Sequence, residues 1–179
     1  ISVQQLNEVY LVDSKTNLSS KHSGKIVKKI TKAHLESMQG LNLTTIIDRV
    51  VGIELSGSKS LTGQNISYKV RGGRNNDVVV LVDGVQVSDP SSINGEFDFR
   101  LLKAEQIESI EILKGASSTL YGSGAATAVI SITMKAAAEK PLNLSVSSVL
   151  GTNQTASDQN NDINDFREHV NLSGTLNDF

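Results

Sequence analysis

The sequence predicts an α+β domain, with a small mixed sheet and short helices, followed by an antiparallel hairpin. Short β-prone runs recur through the part of the chain before Lys135, and two helical patterns lie among them. A stretch of mostly Gly, Ser and Ala lies between two strand-like runs, Ser109–Leu113 and Ala128–Met134. Beyond Pro141, two segments alternate apolar with small polar residues, which is typical of a hairpin with one apolar face.

The N-terminal segment contains a β-prone run, Leu6–Val12, followed by a polar linker, Asp13–Gly24. The run has no predicted partner strand nearby, so two interpretations stay open. It is an N-terminal edge strand, or it is a detachable strand that a partner protein binds by strand addition.

A predicted strand at Lys25–Ile30 leads into a first helix, Lys32–Gln39, for which Thr31 is the expected N-cap. A second helix is predicted at Leu43–Val51, with Asn42 as its N-cap and apolar residues at helical spacing. A glycine follows each helix, at positions 40 and 52, and glycine is the common residue where a helix ends.

Four further strands and a tight turn are predicted after the helices. Ile53–Ser56 and an alternating run around Tyr68 flank a polar loop at 57–65. The run Val78–Val82 is apolar throughout, as in a strand buried on both faces. The dipeptide Asp83-Gly84 then favours a type I′ turn into a short strand at 85–87.

A second polar loop, at 88–96, precedes the central stretch of the chain. Four bulky residues after this loop are expected to fill the core: Phe97, Phe99, Leu101 and Leu102. One helical turn is predicted at Ala104–Ile107, immediately before the first of the two central strands.

Composition excludes several classes of function. The 17 basic and 19 acidic residues nearly balance, aromatic residues are few, and nothing indicates nucleic-acid binding. The lack of cysteine excludes disulfides, thiolate zinc sites and cysteine nucleophiles. No run of about 18 apolar residues predicts a transmembrane helix, although a membrane β-strand would escape that test.

No motif predicts catalysis, a metal site or a cofactor. His22, His34 and His169 lie far apart and outside any metal-ligand pattern. Gly122-Ser123-Gly124 begins a dinucleotide-binding fingerprint, but Thr127 takes the third glycine position and a strand-like run follows. The chain is therefore not expected to be an enzyme.

The terminal hairpin has two interpretations on its pattern alone. Its alternating apolar residues are Leu142, Leu144, Val146, Leu150, Val170, Leu172 and Leu176. A surface hairpin of a soluble domain fits this pattern. Two strands of a membrane barrel, with aliphatic side chains toward lipid and small polar ones toward the lumen, fit it as well.

Several stretches together resemble one family. Ile107–Lys135 resembles the end of the plug domain of TonB-dependent outer-membrane receptors: a strand, a basic residue and Gly, a Ser-rich turn, Leu-Tyr-Gly and a second strand. Val70–Asp89 is similar to the family's Arg-Gly, strand and Asp-Gly-Val segment, and Ile30–Leu55 to its two short helices. Leu6–Val12 is similar to the TonB box. Ala116 departs from a frequent Pro, and the segment 126–128 from a Gly-Gly pair.

The resemblance implies a division of the chain into three parts. Residues 1–24 would be the TonB box and linker, residues 25–136 the plug domain, and residues 137–179 the start of a 22-stranded transmembrane β-barrel. The final hairpin would then be the first antiparallel hairpin of that barrel, and the loop Gly151–Asp165 its first extracellular loop. The protein would lie in the bacterial outer membrane, with its N-terminus in the periplasm.

The resemblance also implies a function, which is TonB-dependent uptake of a scarce large substrate, a metal chelate such as cobalamin or a siderophore. The expected partners are the TonB C-terminal domain with its inner-membrane energising complex, the substrate, outer-membrane lipid around the barrel and, as a further candidate, a surface lipoprotein. The alternative is a soluble periplasmic or secreted α+β binding module without transport activity.

Three sets of site residues follow from the resemblance. The TonB-binding residues would be Glu8, Val9, Tyr10, Leu11 and Val12. The substrate-binding residues would lie in the two polar loops: Ser58, Thr62, Gln64, Asn65, Ser88, Asp89, Ser91, Ser92 and Asn94. The contacts of the plug with barrel carboxylates would be Arg71 and Lys114.

Overall fold

The computed structural model describes residues 26–38, 40–56, 67–92, 95–116, 118–122, 124–136, 143–152, 163 and 165–174. The chain divides into two units between Met134 and Lys135. None of the helices in these ranges is both long and apolar enough to cross a bilayer.

The first unit contains seven strands within the described residues. In chain order they are β1 (Ile26–Thr31), β2 (Ile53–Ser56), β3 (Ser67–Val70), β4 (Val78–Val82), β5 (Val85–Val87), β6 (Ile107–Lys114) and β7 (Ala128–Met134). Its helices are α1 (Lys32–Ser37), α2 (Leu43–Asp48) and α3 (Ser118–Tyr121), and single 3₁₀ turns lie at Asn75–Asp77, Phe99–Leu101 and Ala104–Gln106.

A five-stranded sheet with the order β1-β6-β7-β4-β5 organises this unit. The pair β4–β7 is parallel and the other neighbours are antiparallel, so the sheet is mixed, as the sequence predicts. Strands β2 and β3 form a separate antiparallel pair. Of the two predicted plug–barrel contact residues, Arg71 follows β3 and Lys114 ends β6.

Both faces of the five-stranded sheet are covered. The larger core includes Phe99 and the buried side chains of α2, which pack with Ile110, Ile130 and Ile132 of the central strands. The smaller core lies on the other face and consists of Val79, Leu81, Leu113, Ala125 and Val129. Four consecutive residues of β4 are thus buried, which confirms the prediction from its unbroken apolar run.

The prediction that Leu101 fills the core is wrong. Leu101 is 71 % exposed, because it ends the 3₁₀ turn that buries Phe99 and its side chain lies on the outer side of that turn. Phe97 and Leu102 are partly buried against the larger core, as expected.

The helix ends agree only partly with the sequence prediction. Both helices are shorter than expected, because α1 ends at Ser37 and α2 at Asp48. The side chain of Asn42 accepts a hydrogen bond from the amide of Thr45, so Asn42 is an N-cap. Thr31 occupies the N-cap position of α1, but its side chain makes no capping hydrogen bond, so that part of the prediction is wrong.

The turn between β4 and β5 has the predicted type I′ geometry. Asp83 and Gly84 have φ values of 49° and 81°, the positive values that this turn requires. Asp83 also holds the end of β7, because its amide donates to the carbonyl of Ile132 at 2.9 Å and its carboxylate accepts from the amide of Met134 at 2.9 Å.

The second unit is an antiparallel hairpin of β8 (Asn143–Gly151) and β9 (Asp165–Ser173). Its register places apolar residues opposite one another on a single face: Leu144 with Leu172, Val146 with Val170, and Leu150 with Phe166. All six of these side chains are exposed. The pair Ser148–Glu168 interrupts this face, while Ser145, Ser147, His169 and Asn171 lie on the other one.

Candidate functional site

A cleft of about 740 Å³ lies where β1 begins and β6 ends. The register of the sheet places Ile26 opposite Lys114 at this end. The lining is largely apolar, with four cations and a histidine among its residues: Ile26, Val27, Lys28, Ile30, His34, Met38, Ile46, Arg49, Val50, Val51, Gly52, Arg71 and Lys114. The cleft is therefore an apolar surface with a concentration of positive charge, which we call the cationic cleft.

Lys114 is the most buried cation of the cationic cleft, with 8 % of the residue exposed. Its Nζ donates a hydrogen bond to the carbonyl oxygen of Val51 and lies beside Gly52. Burial lowers the pKa of Lys114, and the nearby cations Arg71 and Lys28 lower it further. The site therefore disfavours the charge of Lys114 unless an anion is added.

Arg71 is brought to the same place by a strained turn. Its φ is 52°, a left-handed conformation that is uncommon for a residue with a side chain. Its amide donates to the carbonyl of Gly52 at 3.0 Å, and its Cγ lies 4.0 Å from the position that a Cβ on Gly52 would take. The fold thus brings together the two predicted plug–barrel contact residues, Arg71 and Lys114.

Within the described residues, no carboxylate forms an ion pair with Lys28, Arg49, Arg71 or Lys114. Glu111 of β6 and Asp48 of α2, which lie on the same elements as Lys114 and Arg49, have other partners. Glu111 pairs with Lys29 across β1 and β6, at 2.9 Å. The carboxylate of Asp48 accepts from the amide of Leu55, at 2.9 Å. The cationic cleft therefore has an excess of positive charge.

The loop at 88–96 carries four of the predicted substrate-binding residues within the described residues. The carboxylate of Asp89 accepts from both the hydroxyl and the amide of Ser91, at 2.6 and 2.8 Å, and these bonds lower the pKa of Asp89. The hydroxyl of Ser92 donates to the carboxylate of Glu96. Ser88 is exposed at the start of the loop. Three of these side chains thus already bond within the loop.

Three aromatic residues, Tyr68, Phe97 and Phe99, attach the end of this loop to the core. The hydroxyl of Tyr68 accepts from the amide of Phe97 at 3.1 Å. The ring of Phe99 lies 5.2 Å from that of Tyr68 and 5.7 Å from that of Phe97. Burial raises the pKa of Tyr68. Alternation along β3 predicts a buried Tyr68, but no sequence signal points to its distant amide partner.

The other predicted site residues lie outside the described residues. They are the TonB-binding set Glu8, Val9, Tyr10, Leu11 and Val12, and the loop residues Ser58, Thr62, Gln64, Asn65 and Asn94. Sequence reasoning also missed Lys28 and Arg49, which line the cationic cleft. No motif singles them out, because only the tertiary structure brings them near Arg71 and Lys114.

Comparison with known proteins identifies the family. The family described as TonB-dependent Receptor Plug Domain matches residues 19–129, which is more than half of the chain. The chain belongs to this family. Its mixed sheet with few helices is accordingly the plug fold, and the predicted fold class is confirmed for this part of the chain.

Named relatives of this plug are transporters and receptors. The chain is 37 % identical over 103 residues to the Vitamin B12 transporter BtuB of Vibrio vulnificus, covering 58 % of the chain and 16 % of that protein. It is 37 % identical over 121 residues to the Probable TonB-dependent siderophore receptor PirA of Acinetobacter baumannii, covering 61 % and 16 %. The chain therefore spans about a sixth of the length of these relatives.

Solved structures of such receptors are also similar. The siderophore receptor PirA from Acinetobacter baumannii matches with a TM-score of 0.63 and 31 % identity, over 84 % of the chain and 22 % of that structure. A mutant ferric enterobactin receptor from Pseudomonas aeruginosa, in complex with enterobactin, matches with a TM-score of 0.57 and 27 % identity, over 75 % and 21 %. The plug topology described above is thus shared with receptors for iron chelates.

Proposed function

We propose that this chain is the plug and the first barrel strands of an outer-membrane receptor that takes up a large metal chelate in a TonB-dependent way. The plug family match carries the proposal, and the similarity to proteins named for vitamin B12 and for siderophores supports the class of substrate. Cobalamin is our first choice of substrate, because the order of segments in this plug resembles that of cobalamin receptors.

In this proposal the chain performs no covalent chemistry and acts as a gate. Substrate binds to the loops at 57–65 and 88–94, where Ser, Thr, Asn, Gln and Asp side chains offer hydrogen bonds. Binding on that side favours exposure of Glu8–Val12 on the periplasmic side. Linkage of two sites in one protein is typically about 1–3 kcal/mol, enough to change TonB affinity by one to two orders of magnitude.

The N-terminal run then pairs with the TonB C-terminal domain by strand addition. Main-chain hydrogen bonds supply affinity in such pairing, and alternate side chains supply specificity. Force applied through this strand loosens the plug and opens a path through the barrel. The apolar, β-prone sequence of Leu6–Val12 supports this role, and a polar linker follows it.

The hairpin of β8 and β9 supports a place in the outer membrane. Its six exposed apolar side chains share one face, while Ser145, Ser147, His169 and Asn171 share the other. Alternation of lipid-facing apolar and lumen-facing polar residues is the pattern of barrel strands. Unpaired strand edges cannot remain in lipid, so the hairpin needs further strands on both sides.

Arg71 and Lys114 contact carboxylates of the barrel in this proposal. A buried cation is tolerated when an anion pairs with it, and Lys114 is 8 % exposed without a carboxylate partner among the described residues. The barrel wall around the plug is the surface that could provide the missing negative charge.

Replacement of Val9 or Leu11 with Pro, in the full-length protein, tests the proposal. Pro removes a main-chain donor and disrupts strand pairing, so uptake of cobalamin should stop while its binding to the receptor is retained. Asn17→Pro, in the linker, is the matched control and should transport normally. Uptake that survives Val9→Pro would overturn the TonB-box assignment.

Cross-linking provides a second, direct test. A Cys replacing Tyr10 should form a cross-link with the TonB C-terminal domain, and the yield should rise when substrate is added. A full-length protein that stays soluble without detergent would instead favour a binding module. Uptake of a ferric siderophore but not of cobalamin would retain the mechanism and change the substrate.

A further inference from the structure

The backbone of the loop at 88–96 forms hydrogen bonds within the loop. The amide of Asp89 donates to the carbonyl of Gly95 at 3.3 Å, which joins the two ends of the loop. Between these ends, the amide of Gly95 donates to the carbonyl of Ser92 at 3.1 Å, and the amide of Ser92 donates to the carbonyl of Asp89 at 3.2 Å. Gly95 has a φ of 68°, which favours glycine. The loop's own bonds therefore define much of its shape.

Ser92 and Glu96 bond to each other twice within this loop. The hydroxyl of Ser92 donates to the carboxylate of Glu96, and the same oxygen accepts from the amide of Glu96 at 3.2 Å. Glu96 is buried, with 8 % of the residue exposed. Hydrogen bonds to charged groups are stronger than those between neutral groups, and a buried carboxylate needs its donors. The proton of the Ser92 hydroxyl therefore supports Glu96.

Glu96 in turn lies where the loop joins the core. The next residue, Phe97, donates its amide to the hydroxyl of Tyr68 at 3.1 Å, and Tyr68 is 2 % exposed on β3. Burial is the main cause of the raised pKa of Tyr68, and the negative charge of Glu96 raises this pKa further, so the two groups are close. Ser92 is thus connected through Glu96 to a rigid part of the plug.

We propose that Glu96 is a positioning residue of the substrate site, and that its bonds with Ser92 hold the loop at 88–96 in the shape that receives the substrate. This inference rests on the proposed function, because it assumes that the loop contacts the chelate. It changes the role of Ser92 from a direct substrate contact to a support of the loop. Ser88, which is exposed at the start of the loop, keeps the role of a direct contact.

A preformed loop affects affinity through the fraction of receptors that can bind. When only part of the population has the competent loop conformation, the apparent Kd rises in proportion to the loss of that part. Removing a hydrogen bond to a charged group changes such a population by about ten- to 150-fold. A direct contact of Ser92 with substrate would also raise the Kd on substitution, so the test needs a pair of residues.

The experiment is a double-mutant cycle on the Kd of cobalamin for the purified full-length receptor. Ser92→Ala and Glu96→Leu should each weaken binding by about ten- to 150-fold. The receptor with both substitutions should bind within about twofold of the weaker single variant, because both remove the same bonds. Ser88→Ala combined with Glu96→Leu should instead multiply the two losses, since a substrate contact and a loop support act independently.

Conservative variants and a matched control separate positioning from general damage. Ser92→Thr retains the hydroxyl and Glu96→Gln retains an acceptor, so both should keep most of the affinity that Ser92→Ala and Glu96→Leu lose. Ser37→Ala also removes a serine hydroxyl bond, the one donated to the carbonyl of His34 at 2.7 Å on α1. Because α1 lies outside the loop, the Kd of this control should be unchanged.

Hydrogen exchange tests the loop itself and remains valid if Glu96→Leu folds poorly. Ser92→Ala removes a single oxygen atom from a half-buried residue. In the free receptor, this variant should exchange the amides of Asp89 and Glu96 at least about fivefold faster than the parent. Saturating cobalamin should restore their protection, because substrate selects the closed loop. A purely structural defect would persist with substrate bound.

Three results overturn the inference and leave the proposed function standing. They are losses that multiply in the Ser92→Ala, Glu96→Leu receptor, single variants that bind as tightly as the parent, and loop amides whose exchange Ser92→Ala does not change. A parent that binds a ferric siderophore in place of cobalamin is tested in the same cycle with that chelate. A parent that binds neither chelate overturns the proposed function, and this inference with it.

Discussion

Gly73 and Thr127 lie in direct contact, and no side chain fits between them. A Cβ built on Gly73 would lie 2.4 Å from Cγ2 and 2.9 Å from Oγ1 of Thr127. Thr127 in turn donates to the carbonyl of Asp77 from its amide, at 2.8 Å, and from its hydroxyl, at 3.0 Å. Its own carbonyl accepts from the amide of Gly115 at 2.7 Å. Thr127 thus connects the turn after Arg71 with the residue that follows Lys114.

Gly73→Ala should destabilise this end of the sheet by about 1–3 kcal/mol, because the added methyl group overpacks the contact with Thr127. Hydrogen exchange of the β7 amides in the purified full-length protein measures the effect, and we expect exchange to be about five- to 150-fold faster. Adding Thr127→Ser to the Gly73→Ala variant removes Cγ2 and should recover part of the lost stability. Gly72→Ala is the control: it introduces strain at a φ of +75° but meets nothing within 4 Å, so Thr127→Ser should not rescue it.

Asn42→Ala should destabilise α2 by about 1 kcal/mol, because the amide of Thr45 loses its capping acceptor. Thr31→Ala is a matched substitution at the start of α1 and should change stability little, since Thr31 makes no side-chain capping bond. Exchange rates of the first-turn amides in each helix distinguish the two variants. Equal effects of both substitutions would show that the Asn42 cap is unimportant.

Tyr68 should make the plug sensitive to alkaline pH. Burial raises its pKa above the ordinary value of 10.0, so the folded state retains the phenol proton to a higher pH than the unfolded state does. The resulting stability is fully present below pH 10.0 and is lost as the pH rises through the raised pKa. Pulse proteolysis in urea across this range should show the loss.

Tyr68→Phe separates the two roles of the hydroxyl group. At neutral pH the variant should be less stable by about 1–3 kcal/mol, because the amide of Phe97 loses its acceptor in a buried site. Above pH 10.0 the decline attributed to Tyr68 should disappear. A variant that declines with pH as steeply as the parent would assign the alkaline sensitivity to other groups.

Asp83→Ala should weaken the attachment of β7 by about 1–2 kcal/mol. The substitution removes the acceptor for the amide of Met134 and places Ala at a φ of 49°. Asp83→Asn retains a side-chain acceptor and the tolerance for positive φ, so it should retain most of the stability. Exchange of the Met134 amide is the measurement, and equal protection in the Ala variant and the parent would refute the role of the carboxylate.

Local features of this fold could be predicted from sequence, because their causes lie within a few residues. The Asn42 cap, the Asp83-Gly84 turn and the buried strand Val78–Val82 all depend on short-range geometry. The exposure of Leu101 could not be predicted, since its apolar character says nothing about the direction of a 3₁₀ turn. The cationic cleft could be predicted only in part, because Lys28 and Arg49 approach Lys114 through tertiary packing.

The order of strands in the five-stranded sheet has a consequence for biogenesis. Among the described strands, β1 is bonded only to β6, and the parallel partner of β4 is β7. The strands that are synthesised first therefore cannot pair fully until the last ones have been made. The bond between Thr127 and Asp77 already spans 50 residues of chain. Pairs between strands that are distant in sequence form slowly, and strand edges stay unpaired until they form. A plug that emerges N-terminus first is therefore an aggregation-prone intermediate until β7 is synthesised and pairs with β4 and β6.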